Sequence, residues 1–220
     1  MPEYRRLHLL VEGQTEETVV RDLLEPHLRQ AGWVTTWSIV ITKRPAGGPA
    51  YRGGVAGWRK VEGDIRRLLG DSSLTVLTTV IDYYGLPAAW PGMDSRPNGS
   101  AHDRVDHVEA AMAAVIDDRR FLPNLVLHEF EAWVFAAARQ LGELREDPAL
   151  AERLCQDSVA AGGPELVNER PETAPSKRLL RYCPDYAKTL DGPLVVSELG
   201  LVELRESCPH VHRWLTRLDA

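Results

Sequence analysis

Leu7-His8-Leu9-Leu10-Val11-Glu12-Gly13-Gln14-Thr15-Glu16-Glu17 passes from a short apolar run into a polar turn at Glu12. Val19, Val20, Leu23, Leu24 and Leu28 then recur at helical spacing, so the segment reads as strand, tight turn and helix. Thr15 reads as the N-cap. Glu16 and Glu17 fall in the first helical turn, where the positive end of the helix dipole favours carboxylates. Gly32 is the natural stop.

Working outward, Trp33 to Thr42 is β-rich and leads into a loop with Gly47, Gly48, Gly53, Gly54 and Gly57 that also carries Lys43, Arg44 and Arg52. Helical spacing returns from Trp58 to Leu69. Leu74 to Ile81 is the most β-branched segment and reads as a central strand buried on both faces. A Pro- and Gly-rich stretch follows Asp82, then a helix from Arg104 to Asp118, a strand from Asn124 to His128, and a helix containing Trp133, Val134 and Phe135. Strands alternating with helices imply an α/β fold with a mostly parallel, Rossmann-like sheet covered by helices on both faces. From Leu141 the pattern changes to shorter helical pieces, a polar loop over Asn168 to Ser176 and a last helix with Trp214, Leu215 and Leu218. The expected division is an α/β core over residues 1–140 and a small helical subdomain over 141–220 packed on it.

Composition limits the function. The chain has 220 residues, 44% hydrophobic and 26% charged, which is ordinary for a globular protein. It has no run of 18 apolar residues and no apolar leader segment, so the expectation is a cytoplasmic chain with no membrane partner. Three cysteines, Cys155, Cys183 and Cys208, match neither a disulfide framework nor a zinc ribbon. With 26 Lys and Arg against 32 Asp and Glu, the formal charge of -6 opposes non-specific attraction to a polyanion. Nucleic-acid binding would therefore rest on a local basic patch and bound metal. No Gly-x-x-x-x-Gly-Lys-Ser/Thr element is present, so the chain is not itself a P-loop ATPase.

In a parallel α/β sheet, ligands collect outside the carboxyl ends of the strands. Glu12, Asp82 and the pair Glu129 and Glu131 all fall at such ends, and Glu16 follows Glu12 by four residues across the turn. Each has a bland alternative: turn residue for Glu12, dipole complement for Glu16 and Glu17, helix N-terminal acids for Glu129 and Glu131. Their coincidence favours function. Clustered carboxylates raise one another's pKa unless a cation compensates. Oxygen ligands without His or Cys suit Mg²⁺ or Mn²⁺, which serve phosphoryl chemistry.

Val11-Glu12-Gly13-Gln14-Thr15-Glu16-Glu17, with Asp82 after a later strand, resembles the Toprim domain shared by topoisomerases, primases and the overcoming-lysogenisation-defect nucleases. Asp82-Tyr83-Tyr84-Gly85-Leu86-Pro87, His128-Glu129-Phe130-Glu131-Ala132-Trp133 and Pro175-Ser176-Lys177-Arg178 resemble a bacterial Toprim-like family often encoded beside an ATPase. The resemblance covers nearly the whole chain. It implies that Glu12 is a metal ligand or general acid/base, Glu16 a ligand of a second metal and Asp82 a metal ligand, with Lys177 as a catalytic lysine near the metals. One departure stands out: Toprim domains carry Asp-x-Asp at the second site, and the third position here is Tyr84. Either Glu129 or Glu131 then completes the site in space, or the cluster holds a single metal.

Arg178, Arg181 and Lys188 are candidate phosphate-binding groups, with a solvated surface patch as the alternative. Cys208, His210 and His212 alternate without a second ligand cluster and are weak evidence for zinc. Trp90, Trp133 and Trp214 read as packing residues. The expected function is a Mg²⁺-dependent nuclease acting on DNA or RNA, an effector of an ATPase-linked defence system. Alternatives are a non-catalytic partner subunit that regulates an ATPase, and a different phosphoryl-transfer enzyme. The expected partners are nucleic acid, an ATPase encoded alongside and a second copy of the chain.

Overall fold

In the computed structural model, which describes residues 5–43, 51–52, 57–167 and 174–220, strand β1 (Arg5–Val11) leads into a helical stretch in three parts. These are α1 (Gln14–Val19), a π-helical turn (Val20–Leu24) and α2 (Glu25–Gln30). Pro26 explains the widened turn. It has no N–H to donate and its ring crowds the carbonyl four residues back, so the chain loosens just before it, and the Glu25 N–H reaches the Val20 carbonyl five residues away. The expected Thr15 cap is corrected: extended Gly13 is the cap residue, without a side-chain bond, and Thr15 is buried inside α1. Gly32 stops the helix as expected, at φ +87°.

Next come β2 (Trp33–Ile39), a small antiparallel pair β3 (Ile41–Lys43) and β4 (Tyr51–Arg52), then α3 (Trp58–Leu69) and β5 (Val76–Asp82). The expected glycine-rich loop over 44–50 and 53–56 and the polar loop over 168–173 lie outside the described residues. Helix α4 (Ala101–Ile116) starts three residues before the expected Arg104 because Ser100 and Asp103 form a reciprocal capping box. The expected strand 124–128 is reduced to β7 (Leu125–Val126), and a second short strand, β6 (Phe121–Leu122), precedes it. Pro123 separates them and cannot donate to a ladder. Asn124 beside it is tied to β5 by Thr79: its N–H donates to Thr79 Oγ1 at 3.0 Å, and its carbonyl accepts from the same hydroxyl at 2.7 Å.

The remainder is helical: α5 (Glu131–Ala136), α6 (Ala138–Leu144), α7 (Pro148–Ala161), a 3₁₀ turn (Pro164–Leu166), α8 (Pro175–Tyr182), α9 (Asp191–Leu199), α10 (Leu201–Ser207) and α11 (Pro209–Asp219). The main sheet runs β2-β1-β5, with β6 and β7 both on the far side of β5, and every pairing in it is parallel. The fold is therefore α/β with a parallel sheet, as the alternation implied. Period-two alternation sends Leu7, Leu9, Val11 and Val80 to one face, where they join an apolar cluster that includes α1, α2 and the C-terminal helices as far as Leu218. Leu10, Leu77 and Ile81 face the opposite cluster, built with α3 and α4. The Trp214 indole N–H donates to Thr78 Oγ1 at 2.9 Å and that of Trp33 to the Leu218 carbonyl at 2.7 Å, which fixes α11 against the sheet. Among the described residues no helix is long and apolar enough to cross a membrane.

Candidate active site

The chain leaves β1 toward β2 on one side, while β5 lies on the other, so the strand order reverses at the carboxyl ends of β1 and β5. A crevice opens where loops diverge in this way. Glu12 follows β1 and Asp82 ends β5, so the topology brings these two acids together. Val11 is in register with Val80, and the Glu12 N–H continues the ladder to the Val80 carbonyl at 2.9 Å. The Glu12 carboxylate in turn accepts the Asp82 N–H at 2.9 Å.

Asp82 is buried, and its Oδ1 accepts the Phe130 N–H at 2.9 Å in the turn entering α5. That turn is bent by His128, which adopts φ +67°, a left-handed conformation uncommon for a residue with a side chain. The His128 carbonyl accepts the Tyr84 N–H at 2.7 Å and so extends the β5–β7 pairing beyond the strand ends. Glu131, at the first turn of α5, is 1% exposed. Glu129 points elsewhere, accepting the Ser176 N–H at the start of α8 at 3.0 Å.

Among the described residues one cation enters this group of acids. Lys188 Nζ lies 3.0 Å from Glu131 Oε2 and 3.7 Å from Asp82 Oδ2. Its loop is held by Asp191, which accepts the Ala187 N–H at 2.6 Å and pairs with Arg145. Burial disfavours the Lys188 charge, but attraction to Asp82, Glu131 and Glu16 outweighs it and raises its pKa. The acids respond in kind. Burial pushes Glu12 up to about 7; the Asp82 N–H bond opposes this, Glu16 adds to it, Lys188 opposes it and Glu129 adds to it. Burial also raises Glu16, Asp82 and Glu131, with the lysine working against it at each. One lysine does not neutralise four carboxylates, which leaves the cluster short of positive charge.

The structure thus brings Glu12, Glu16, Asp82, Glu131 and Lys188 together and sets Glu129 at their margin. Tyr84 stands two residues beyond Asp82, and Glu131 shares a cation with Asp82. Lys177 and Arg181 lie exposed on α8, and Arg178 is paired with Asp157 at 3.0 Å. Lys188, read from sequence as a candidate phosphate-binding group, pairs with Glu131 and Asp82; its place in a loop after α8 carries no local signal of this. All-oxygen donors fit Mg²⁺ or Mn²⁺. Among the described residues, however, Asp106, Glu109 and His210 are the set of three whose ligand atoms all lie within 4.8 Å of one another. A cation shared by three acids of the Glu12 cluster would require Lys188 and the carboxylates to rearrange.

A family model described as a domain of unknown function, DUF4276, matches residues 11–219. No curated protein matches the chain. Among solved structures, the C-terminal region of the Burkholderia pseudomallei OLD protein is similar with 15% sequence identity and a TM-score of 0.44, over 99% of this chain and 100% of that one.

Proposed function

The chain belongs to the DUF4276 family, and from the geometry of its acid cluster we propose that it is a divalent-metal-dependent phosphodiesterase of Toprim type, acting on DNA or RNA. The observation that carries this reading is the meeting of Glu12, Glu16, Asp82 and Glu131 at the strand-order reversal with, among the described residues, only Lys188 to balance them. Three buried acids and a partly buried fourth, all with raised pKa values, are costly to fold unless a ligand compensates.

Glu12, Glu16, Asp82 and Glu131 would hold Mg²⁺ or Mn²⁺. When bound, such an ion activates water and stabilises the leaving oxygen of a phosphodiester. Glu12, near neutrality in its pKa and anchored on the Asp82 N–H, is suited to take up and return a proton. Lys188 carries a charge that can pass from Asp82 and Glu131 to a phosphate oxygen. Lys177 and Arg181, exposed on α8, can contact the nucleic-acid backbone.

A second reading, a non-catalytic subunit regulating an ATPase, is favoured by one observation: Lys188 already occupies the space between Asp82 and Glu131. The two readings separate on incubation of the purified protein with single- and double-stranded DNA and RNA, in Mg²⁺ or Mn²⁺, with and without an ATPase encoded beside it. Metal-dependent cleavage that chelation stops supports the nuclease. Absence of cleavage under every condition supports the regulatory subunit.

A further inference from the structure

Away from the Glu12 cluster, side chains of α4 and α11 converge. Asp106 and Glu109 stand one turn apart on α4, and His210 reaches them from the first turn of α11. One ligand atom from each lies within 4.8 Å of the others. His210 is nearly fully buried and tightly held: its backbone N–H donates to Glu165 Oε2 at 2.8 Å, and its Nε2 is 2.9 Å from Glu109 Oε1. The Glu109 oxygen also accepts the Leu125 N–H at 2.7 Å, which fixes the carboxylate in turn.

A positive charge already sits at the focus. One guanidinium nitrogen of Arg213 lies 2.9 and 3.2 Å from the two Asp106 oxygens and 3.0 Å from His210 Nδ1. Arginine only donates, so Nδ1 accepts and the neutral ring carries its proton on Nε2, toward Glu109. A carboxylate on one ring nitrogen and a lone pair presented on the other is the arrangement that orients metal-binding histidines. The group opens onto a cavity of about 390 Å³ lined by Asn124, Arg213 and Trp214 among others, which leaves room for water or a small ligand beside the cation. Arg213 is half exposed and can leave along its own side chain without moving the backbone.

We propose that Asp106 and the Nδ1 of His210, with Glu109 holding the ring by its Nε2 proton, form a second cation site, independent of the Glu12 cluster, for a first-row transition ion of the zinc class, and that Arg213 holds the position until the ion enters. One imidazole with one carboxylate, completed by water, suits Zn²⁺ or Co²⁺ and disfavours Mg²⁺, which takes oxygen ligands. Cys208 and His212 are not part of this site: Cys208 is buried, and His212 lines a separate surface groove with His27.

The test uses the full chain carrying Glu12→Gln and Asp82→Asn, so that the other cluster does not contribute, titrated with Zn²⁺ by calorimetry and with Co²⁺ by absorption. The expected result is one equivalent bound without competition from millimolar Mg²⁺. Affinity should fall at least tenfold in His210→Gln and rise severalfold in Arg213→Ala. Asp106→Asn, at a half-exposed position, should also lose at least tenfold and decides the matter if His210→Gln does not fold. Absence of stoichiometric binding, or binding that neither His210→Gln nor Asp106→Asn weakens, overturns the proposal. So do near-ultraviolet thiolate bands with Co²⁺, which would place the ion on cysteine.

Discussion

The backbone N–H of Asp82 donates to the carboxylate of Glu12 at 2.9 Å, joining the last residue of one strand to the first residue beyond its neighbour. Two acids 70 positions apart are thereby locked in one constellation. The same bond opposes the effect of burial on Glu12, whose pKa still rises to about 7.

Lys188→Met removes the cation that Asp82 and Glu131 share. Breaking a buried pair commonly costs 3–5 kcal/mol, but the Lys188 side chain is 42% exposed, so solvent screening reduces the expected loss to about 1–2 kcal/mol. Denaturant melts at pH 7.5 check it. The loss should shrink as pH falls, because the raised acids of the cluster take up protons earlier than ordinary carboxylates and then need less compensation. An unchanged midpoint at pH 7.5 would mean that the ammonium does not stabilise the cluster.

Glu12→Gln alters the pH dependence of stability in metal-free buffer. The Glu12 pKa is raised from 4.5 to about 7 on folding, so the folded state binds more protons than the unfolded one between these values. The sign follows: stability is fully present below about pH 4.5 and is lost as pH rises through 7. His8 and His128, lowered to about 4 by burial first, act oppositely and lose stability as pH falls from 6.5. The mutant-minus-wild-type difference isolates Glu12. It should favour Glu12→Gln increasingly from pH 5 to pH 8, by on the order of 1–3 kcal/mol. Parallel pH profiles for the two proteins would refute the assignment.

Gly192→Ala tests how closely the site is packed. A Cβ there would stand 2.6 Å from the Tyr186 hydroxyl and 2.8 Å from a Phe130 ring carbon. Neither can yield freely, since Tyr186 is buried and the Phe130 N–H holds Asp82. Overpacking of this kind costs about 1–3 kcal/mol. The melt should show that loss, with reduced cleavage from the displaced Asp82. A fully stable and active variant would show that the turn before α5 tolerates movement.

Lys177→Ala and Arg181→Ala remove exposed charges from α8. If they contact phosphates, each should weaken nucleic-acid binding about equally for all sequences and reduce the salt slope by roughly one. Stability should change by less than about 0.5 kcal/mol. Binding isotherms at several salt concentrations measure this, and an unaltered slope would leave the helix as an ordinary solvated face.

Much of this site was legible in the sequence because a strand end is a local signal. Glu12 and Asp82 each follow a β-branched or apolar run, and parallel pairing then aligns such ends without further information. The strand order was not legible, since nothing local states that β5 pairs with β1. Lys188 was seen as a basic residue but not as the partner of Glu131, 57 positions away, because its loop acquires its position from Asp191 and Arg145. The strand expected over 124–128 shrank to Leu125–Val126, because at Asn124 bonds to the Thr79 side chain replace the ladder. Cys208, His210 and His212 were weak evidence for zinc, and of the three His210 alone turns toward Asp106 and Glu109, because residues two apart on a helix do not share a face.

The most direct test of the acid cluster as a reaction centre is the rate of phosphodiester cleavage by wild type and Glu12→Gln, on a substrate that the wild type cuts, in the same metal and with matched melts. The substitution keeps shape and hydrogen bonding while removing one charge and one proton acceptor. The expected result is a fall of about a hundredfold or more with an unchanged or raised melting temperature. Equal rates in the two proteins would contradict the central claim, because the cluster would then be a feature of the fold and not the place where the bond is broken.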